Sequence, residues 1–429
     1  MRLVWRTLST QRDLRLLLGA GLVSLTGDWI LRVGLAYHVY VLTGSTLVSS
    51  MMLLSSFLPQ VLLGSLAGVV VDRHDQRRMM IAANLIQAVG LLPLLLVDAT
   101  GLVWVVYLVM LWQGCVQQFF TPAEQSLVPH LVPDDHLLTA NALNGQARDV
   151  ARLLGSAVGG VAVAAGGLTV LTLLDAASFV GSAALLWRMR VRHGRAASDD
   201  VPAETLRGRV VRLRAEWADG LRLATGERVL RVILVFTVVT TVGEGLMGTL
   251  FAPFVHDALG GSGGDYGLVV SVQAVGGIVG GLAAASVGDR VSAERLFGWG
   301  AVAFGAVDLV MFLYPLGYVA VWPAVACMVV VGVPGALTVA GCMTLLQRHT
   351  GARHRGRVIG ALGAVEGLAV VVGTLAAGAL GEAIGIIPVL AGQGAGYLLA
   401  GVGVVAALRR DSPRSPSVAV TEPAEPAAG

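Results

Sequence analysis

GVVVDRHDQRR, Gly68 to Arg78, sets two acids and three arginines within seven positions of a chain that is 55% hydrophobic and only 13% charged. On both sides the sequence returns at once to apolar runs. A length of 429 residues with a mean hydropathy of +0.76 describes a chain solvated mainly by lipid. Apolar runs of about 20 residues, the length that crosses a bilayer, recur along it. Twelve spans are expected, at 14–40, 46–71, 79–98, 102–122, 139–164, 168–188, 229–256, 266–288, 296–315, 320–346, 356–381 and 385–408. The first is read as a retained helix and not a cleaved leader, since it is long and carries Asp28 and Arg32.

The 30 basic residues are all arginine. Without lysine there is no P-loop lysine and no Schiff-base lysine, so a built-in Walker ATPase is excluded and ion-coupled or passive movement is left. Arg32, Arg148 and Arg152 fall deep within spans; the other 27 lie in the N-terminus, the 2–3, 6–7, 8–9 and 10–11 connections or the C-terminus, or, for Arg15, Arg188, Arg231 and Arg357, within three residues of the span ends that border them. Arginine retained on one side marks the cytoplasm, so a multi-pass cell-membrane protein with both termini cytoplasmic is expected. Gly68–Arg78 is then a cytoplasmic loop. Cys115, Cys327 and Cys342 fall in spans without metal-ligand spacing, and GQGAGY at 392–397 reads as close helix packing.

The chain also repeats itself. Gly27-Asp28 is followed 44 residues later by Asp72-Arg73, and Gly243-Glu244 is followed 45 residues later by Asp289-Arg290. This parallel repeat divides the chain into a six-helix bundle at 1–188, a cytoplasmic linker at 189–228, a second bundle at 229–408 and a disordered tail at 409–429. In the linker, Leu206, Val210, Leu213, Trp217 and Leu221 alternate with arginines. That pattern suits either an amphipathic helix on the anionic leaflet or a plain basic tether.

These residues resemble the major facilitator superfamily over about 12–408. Its loop 2–3 signature is matched by Gly68, Asp72, Arg73, Arg77 and Arg78, although Asp75 or Gln76 stands where a glycine is usual. Gly155, Gly159 and Gly160 match the helix-five signature of the antiporter branches, with Ser156 in place of proline. ANALNGQARDVARLLG at 140–155 together with RGRVIGALGAVEG at 355–367 is similar to the bacterial macrolide and siderophore exporters. The resemblance implies an all-α membrane fold of two pseudo-symmetric six-helix bundles working by alternating access. It also implies a cytoplasmic gate at Asp72 and Arg73, with Asp289 and Arg290 as its second copy and the start of helix eleven, near 355–357, as its partner.

Ionisable residues within a span cost roughly 2.5–3.5 kcal/mol each and so face a cavity or a partner. Asp28, Glu244 and Glu366 are the proton-coupling candidates. For Asp28, one turn from Arg32, a permanent pair is an equal alternative. Arg148 and Arg152 share a face of helix five and need acids from neighbouring helices or an anionic substrate group. Asp175 and Asp308 are assigned to structure. Arg32, Arg148, Arg152, Gln113, Phe57 and Phe251 are candidates for lining a substrate cavity. The expectation is a monomer in the lipid bilayer that exchanges an amphipathic small molecule (drug, siderophore or secondary metabolite) for protons. No metal, cofactor, enzymatic activity or nucleic-acid partner is expected. Proton-coupled import, or a membrane partner or sensor that has lost transport, are the rivals.

Overall fold

The computed structural model describes residues 10–72, 74–97, 100–133, 136–190, 217–287, 290–350 and 355–408, and for some, Gly68 and Asp72 among them, the backbone alone. Arg73, Asp289, most of the linker and the tail lie outside the described residues.

Backbone groups in lipid must satisfy one another, so the apolar runs become helices. They are α1 (Arg12–Thr43), α2 (Thr46–Asp72), α3 (Gln76–Leu91) and α4 (Val103–Leu127). A long segment, Leu137–Trp187, leaves helical geometry at Gly166 and at Gly167 (φ 57, ψ −146), and is therefore two helices, α5 before the break and α6 after it. Only glycine enters that left-handed region without strain, and the break falls between the expected fifth and sixth spans. Then come α7 (Arg228–Pro253), extended by a π-helical turn at Phe254–Ala258, α8 (Gly263–Val287) and α9 (Ala293–Leu313). The last three are α10 (Trp322–His349), α11 (Arg355–Ile384) and α12 (Ile386–Leu408).

Two boundaries matter for the site. α4 does not end at residue 122; it runs through Pro122 to Leu127 and carries Glu124 into the bundle. Asp75, where the loop signature has its glycine, is the N-cap of α3, its carboxylate accepting from the Arg78 N–H at 2.9 Å. That bond satisfies one of the orphan donors at the helix start.

The packing of the second half repeats that of the first. α1 lies against α5 and α6, α2 against α4, and α3 against α4 and α6; correspondingly α7 lies against α11 and α12, α8 against α10, and α9 against α10 and α12. The halves meet along two symmetry-related seams, α2 with α11 and α5 with α8. One buried core draws residues from both halves, including Leu35 and Phe179 from the first and Phe251, Phe254 and Phe312 from the second. It sits toward the end that carries the arginine-poor connections. At the arginine-rich end the core divides in two: one cluster, with Leu17, Met80 and Phe120, belongs to the first half, and another, with Ile233, Phe297 and Leu345, to the second. Among the described residues the two halves share one core at the first end and keep separate cores at the other.

Candidate functional site

The shared-core end is sealed by hydrogen bonds between the halves. The Tyr37 hydroxyl donates to the Gly261 carbonyl at 3.1 Å and the Tyr40 hydroxyl to the Asp257 carboxylate, which also accepts from His256 at 2.7 Å. Across the other seam, the Ser45 hydroxyl and the Leu47 N–H converge on Glu382, and Thr46 donates to the Gly378 carbonyl at 3.0 Å. Asp257 and Glu382 were missed in the sequence, although acids at the edge of connections without any arginine were a usable signal. Tyr40→Phe removes a bond to a charged group, worth about 1.5–3 kcal/mol. Spin labels at the exposed positions Val41 and Ile384 should then report at least about a tenfold rise in the separated population. An unchanged distance distribution would show that the seal does not depend on this bond.

Glycines let the helices behind the seal approach. A Cβ on Gly155 would lie 2.5 Å from the Thr26 carbonyl oxygen and one on Gly159 2.6 Å from that of Ile30, so both press α5 onto α1. Gly160 points the other way: its Cβ would lie 2.5 Å from the Gly263 oxygen and 2.7 Å from the Gly267 Cα of α8. The helix-five glycines thus bind α5 to its own bundle with one face and to the opposite bundle with the other.

Between the seal and the separate cores lie the ionisable residues. On α1, Asp28 is half-buried and Arg32 exposed; the Arg32 guanidinium stands over the Trp29 ring at 5.2 Å, and no ion pair joins it to Asp28. On α5, Arg148 is paired with Glu124 of α4 at 2.9 Å, and the other oxygen of that carboxylate has no hydrogen-bond partner among the described residues. Glu124 is the partner the sequence did not supply, because the expected fourth span stopped two residues short of it. Arg152 is half-buried, and its Nε has no hydrogen-bond partner among the described residues.

On the other side, Glu244 of α7 and Glu366 of α11 are both exposed and without an ion-pair partner among the described residues. One turn beyond Glu244, a Cβ on Gly248 would lie 3.9 Å from Leu53 of α2, so this face of α7 looks across the interior at the first half. Glu366 lies one turn before Val370, whose carbonyl meets Gly245 of α7. The first bundle thus carries Asp28 and Glu124 with three arginines, and the second carries Glu244 and Glu366.

Other candidates are placed elsewhere. Gln113 donates to the Gln87 carbonyl at 3.0 Å and ties α4 to α3. Phe251 is 3% exposed, among Phe254, Tyr266 and Phe312 in the shared core. Phe57 is half-buried on α2. Near the loop signature, Arg77 caps the end of α6 through the Leu186 and Trp187 carbonyls, while Arg78 and Arg290 are exposed. Arg357, at the expected gate partner, lies 3.7 Å from Asp219 on the helical stretch 217–226. A pocket of about 350 Å³ lies beside that stretch, lined by Glu227, His349 and Thr350, and touches none of the interior carboxylates. No group of three or more metal-ligating side chains occurs among the described residues.

A family model described as transmembrane secretion effector matches residues 5–423. Macrolide efflux protein A of Streptococcus pyogenes is 30% identical over 36% of this chain, and the matched stretch is 38% of that relative's length, so the chain spans about two fifths of it. The multidrug efflux pump Tap of Mycolicibacterium fortuitum is 26% identical over 85% of this chain and 88% of its own. Among solved structures, a bacterial homologue of the iron transporter ferroportin in its inward-facing state matches with a TM-score of 0.72 at 17% identity, covering 93% of this chain and 99% of that one. The same homologue in its outward-facing state matches at 0.59, again at 17% identity, with 93% and 100% covered.

Proposed function

Because the chain belongs to the transmembrane secretion effector family of major facilitator transporters, we propose that it exports an amphipathic small molecule (drug, siderophore or secondary metabolite) from the cytoplasm in exchange for protons, as a monomer in the cell membrane. The observation that carries the reading is the division of the core in two at the arginine-rich end while the arginine-poor end is sealed. The positive-inside rule assigns the arginine-rich end, with both termini, to the cytoplasm. The interior then opens toward the compartment from which an exporter loads. The likeness to Tap over most of both chains supports the direction.

In this reading Arg32, Arg148, Arg152 and Phe57 border the loading space. Asp28, Glu244 and Glu366 exchange protons as the interior changes sides, because a carboxyl that is alternately wet and dry alternately favours its charged and neutral forms. Asp72 and Arg73, with Asp289 and Arg290, close the cytoplasmic end in the opposite state. Asp219 engages Arg357 while that end is open.

Inverted membrane vesicles carrying the protein, acidified inside and supplied with a macrolide or another cationic drug from a susceptibility panel, test this directly. Wild-type vesicles should accumulate the drug, and collapsing the gradient should stop it. Glu244→Gln should lower accumulation at least about tenfold, a loss of about 1.4 kcal/mol or more in coupling. Asp72→Asn should impair it without loss of membrane insertion. Faster uptake by whole cells under an inward proton gradient would instead establish import. Unchanged drug movement in the amide variants would favour a partner or sensor.

A further inference from the structure

The interior acid Asp28 has a hidden neighbour. Asp175 of α6 is 1% exposed, and its Oδ2 has no hydrogen-bond partner. Its other oxygen lies 3.2 Å from the Ser178 hydroxyl, but that hydroxyl carries one hydrogen and is nearer the Asp175 main-chain carbonyl, at 2.8 Å. A carboxylate anion there would lack donors, whereas a neutral acid could itself donate. The carboxyl also lies against the backbone of α1: a Cβ on Gly27 would come within 2.4 Å of its Oδ1. Gly27 is the residue before Asp28, so the Asp175 carboxyl meets α1 at the position next to that acid.

The internal repeat shows that packing alone does not require an acid here. Gly27-Asp28 corresponds to Gly243-Glu244, and the side chain that covers Gly243 is Gln393 of α12, 2.9 Å from where a Cβ would stand. Gln393 is an amide and donates to Asp308 at 3.0 Å. The same niche is thus filled in one half by a neutral amide, whose Nε2 is bonded to Asp308, and in the other by an acid, whose Oδ2 has no partner.

We propose that Asp175 and Asp28 share one exchangeable proton, with Asp175 as its store and Asp28 as its outlet to the interior. The proton passes from an Asp175 oxygen to an Asp28 oxygen, one O–H bond breaking as the other forms, and the pair keeps a single negative charge throughout. Arg32, one turn from Asp28 but bound to the Trp29 face and not to Asp28, favours the ionised outlet in this conformation. From α8, Tyr266 stands near Arg32; from α3, Asn84 donates to Ser182 of α6, and Arg77 is engaged farther along at the Leu186 and Trp187 carbonyls that end that helix. The inference rests on the proton-coupled reading and adds Asp175 to it as the residue that holds the proton out of reach of solvent.

Infrared titration of the full chain in lipid nanodiscs tests it with protons as the only probe, so the result stands whether or not drug export is found. Wild type should show the carbonyl stretch of a neutral carboxylic acid that disappears reversibly as pH rises. Asp175→Asn should remove that band. Asp28→Asn should lower its midpoint by about one pH unit or more, the interaction expected of two carboxyls at one site. Should Asp175→Asn not fold, the Asp28→Asn shift decides alone. A band that is absent, does not titrate, or keeps its midpoint in Asp28→Asn would overturn the shared proton.

Discussion

Gly160→Val should abolish transport while leaving the protein in the membrane. The atoms a Cβ would strike are backbone, the Gly263 carbonyl at 2.5 Å and the Gly267 Cα at 2.7 Å, and the clash is mutual, since a Cβ on Gly267 would lie 2.7 Å from the Gly160 Cα. No rotamer change relieves it; only separation of α5 from α8 does. Overpacking costs about 1–3 kcal/mol even for a small excess, enough to move a two-state balance about 5- to 150-fold toward the form in which this seam is open. Spin-label distances across the seal, with drug uptake by vesicles, read both effects. Gly281→Ala is the control, because a Cβ there meets nothing within 4 Å. Unchanged distances in Gly160→Val would mean that the seam is not part of the moving contact.

The second large effect is expected at Arg148, and it is asymmetric. Its partner Glu124 has a side chain 3% exposed, while that of Arg148 is 43% exposed. Arg148→Ala leaves a buried carboxylate without its counter-charge, a loss of about 3–5 kcal/mol for a fully buried pair and toward the lower figure here because the guanidinium is partly wet. Glu124→Gln keeps a polar side chain in place and lets the arginine turn to water, so it should cost about 1 kcal/mol. Thermal unfolding of the two purified variants compares them. Equal losses, or a larger loss for Glu124→Gln, would show that burial of the carboxylate is not what makes the pair matter.

The fold was legible because lipid leaves few options. Apolar run length set the helices, arginine placement set their alternation, and the glycine pair at 166–167 separated α5 from α6 at the expected point. The helix-five glycines were legible as a motif, but not as a two-sided contact, since spacing cannot say which neighbour each one meets. Glu124 escaped because Pro122 sits where a span of ordinary length would stop, and the helix continues through it. Asp175 was assigned to structure, and spacing alone does not show that its carboxyl lies against Gly27, the residue before Asp28. Gln113 and Phe251 were chosen by chemical type, and type does not reveal direction: one reaches across to α3 and the other points into the shared core. The signature at Gly68–Arg78 resolves into parts with separate duties. Asp75 starts α3 and Arg77 closes the end of α6, whereas the gate assigned to Asp72 and Arg73 rests on family resemblance.

The shared core has a thermodynamic consequence for the working cycle. Phe251, Phe254, Tyr266 and Phe312 are dry in this arrangement. Any opening of the sealed end must hydrate a portion of them. Each aromatic ring buries about 150–250 Å², so at about 25 cal/mol per Å² wetting even one completely costs several kcal/mol. A machine that turns over at ordinary temperature needs an offsetting burial of similar size. The two separate cores at the other end are already buried within their own halves, so that burial must come from apolar surface outside them. The cycle then exchanges one hydrophobic contact for another at nearly constant solvation free energy, and the small remainder is what substrate and proton can bias.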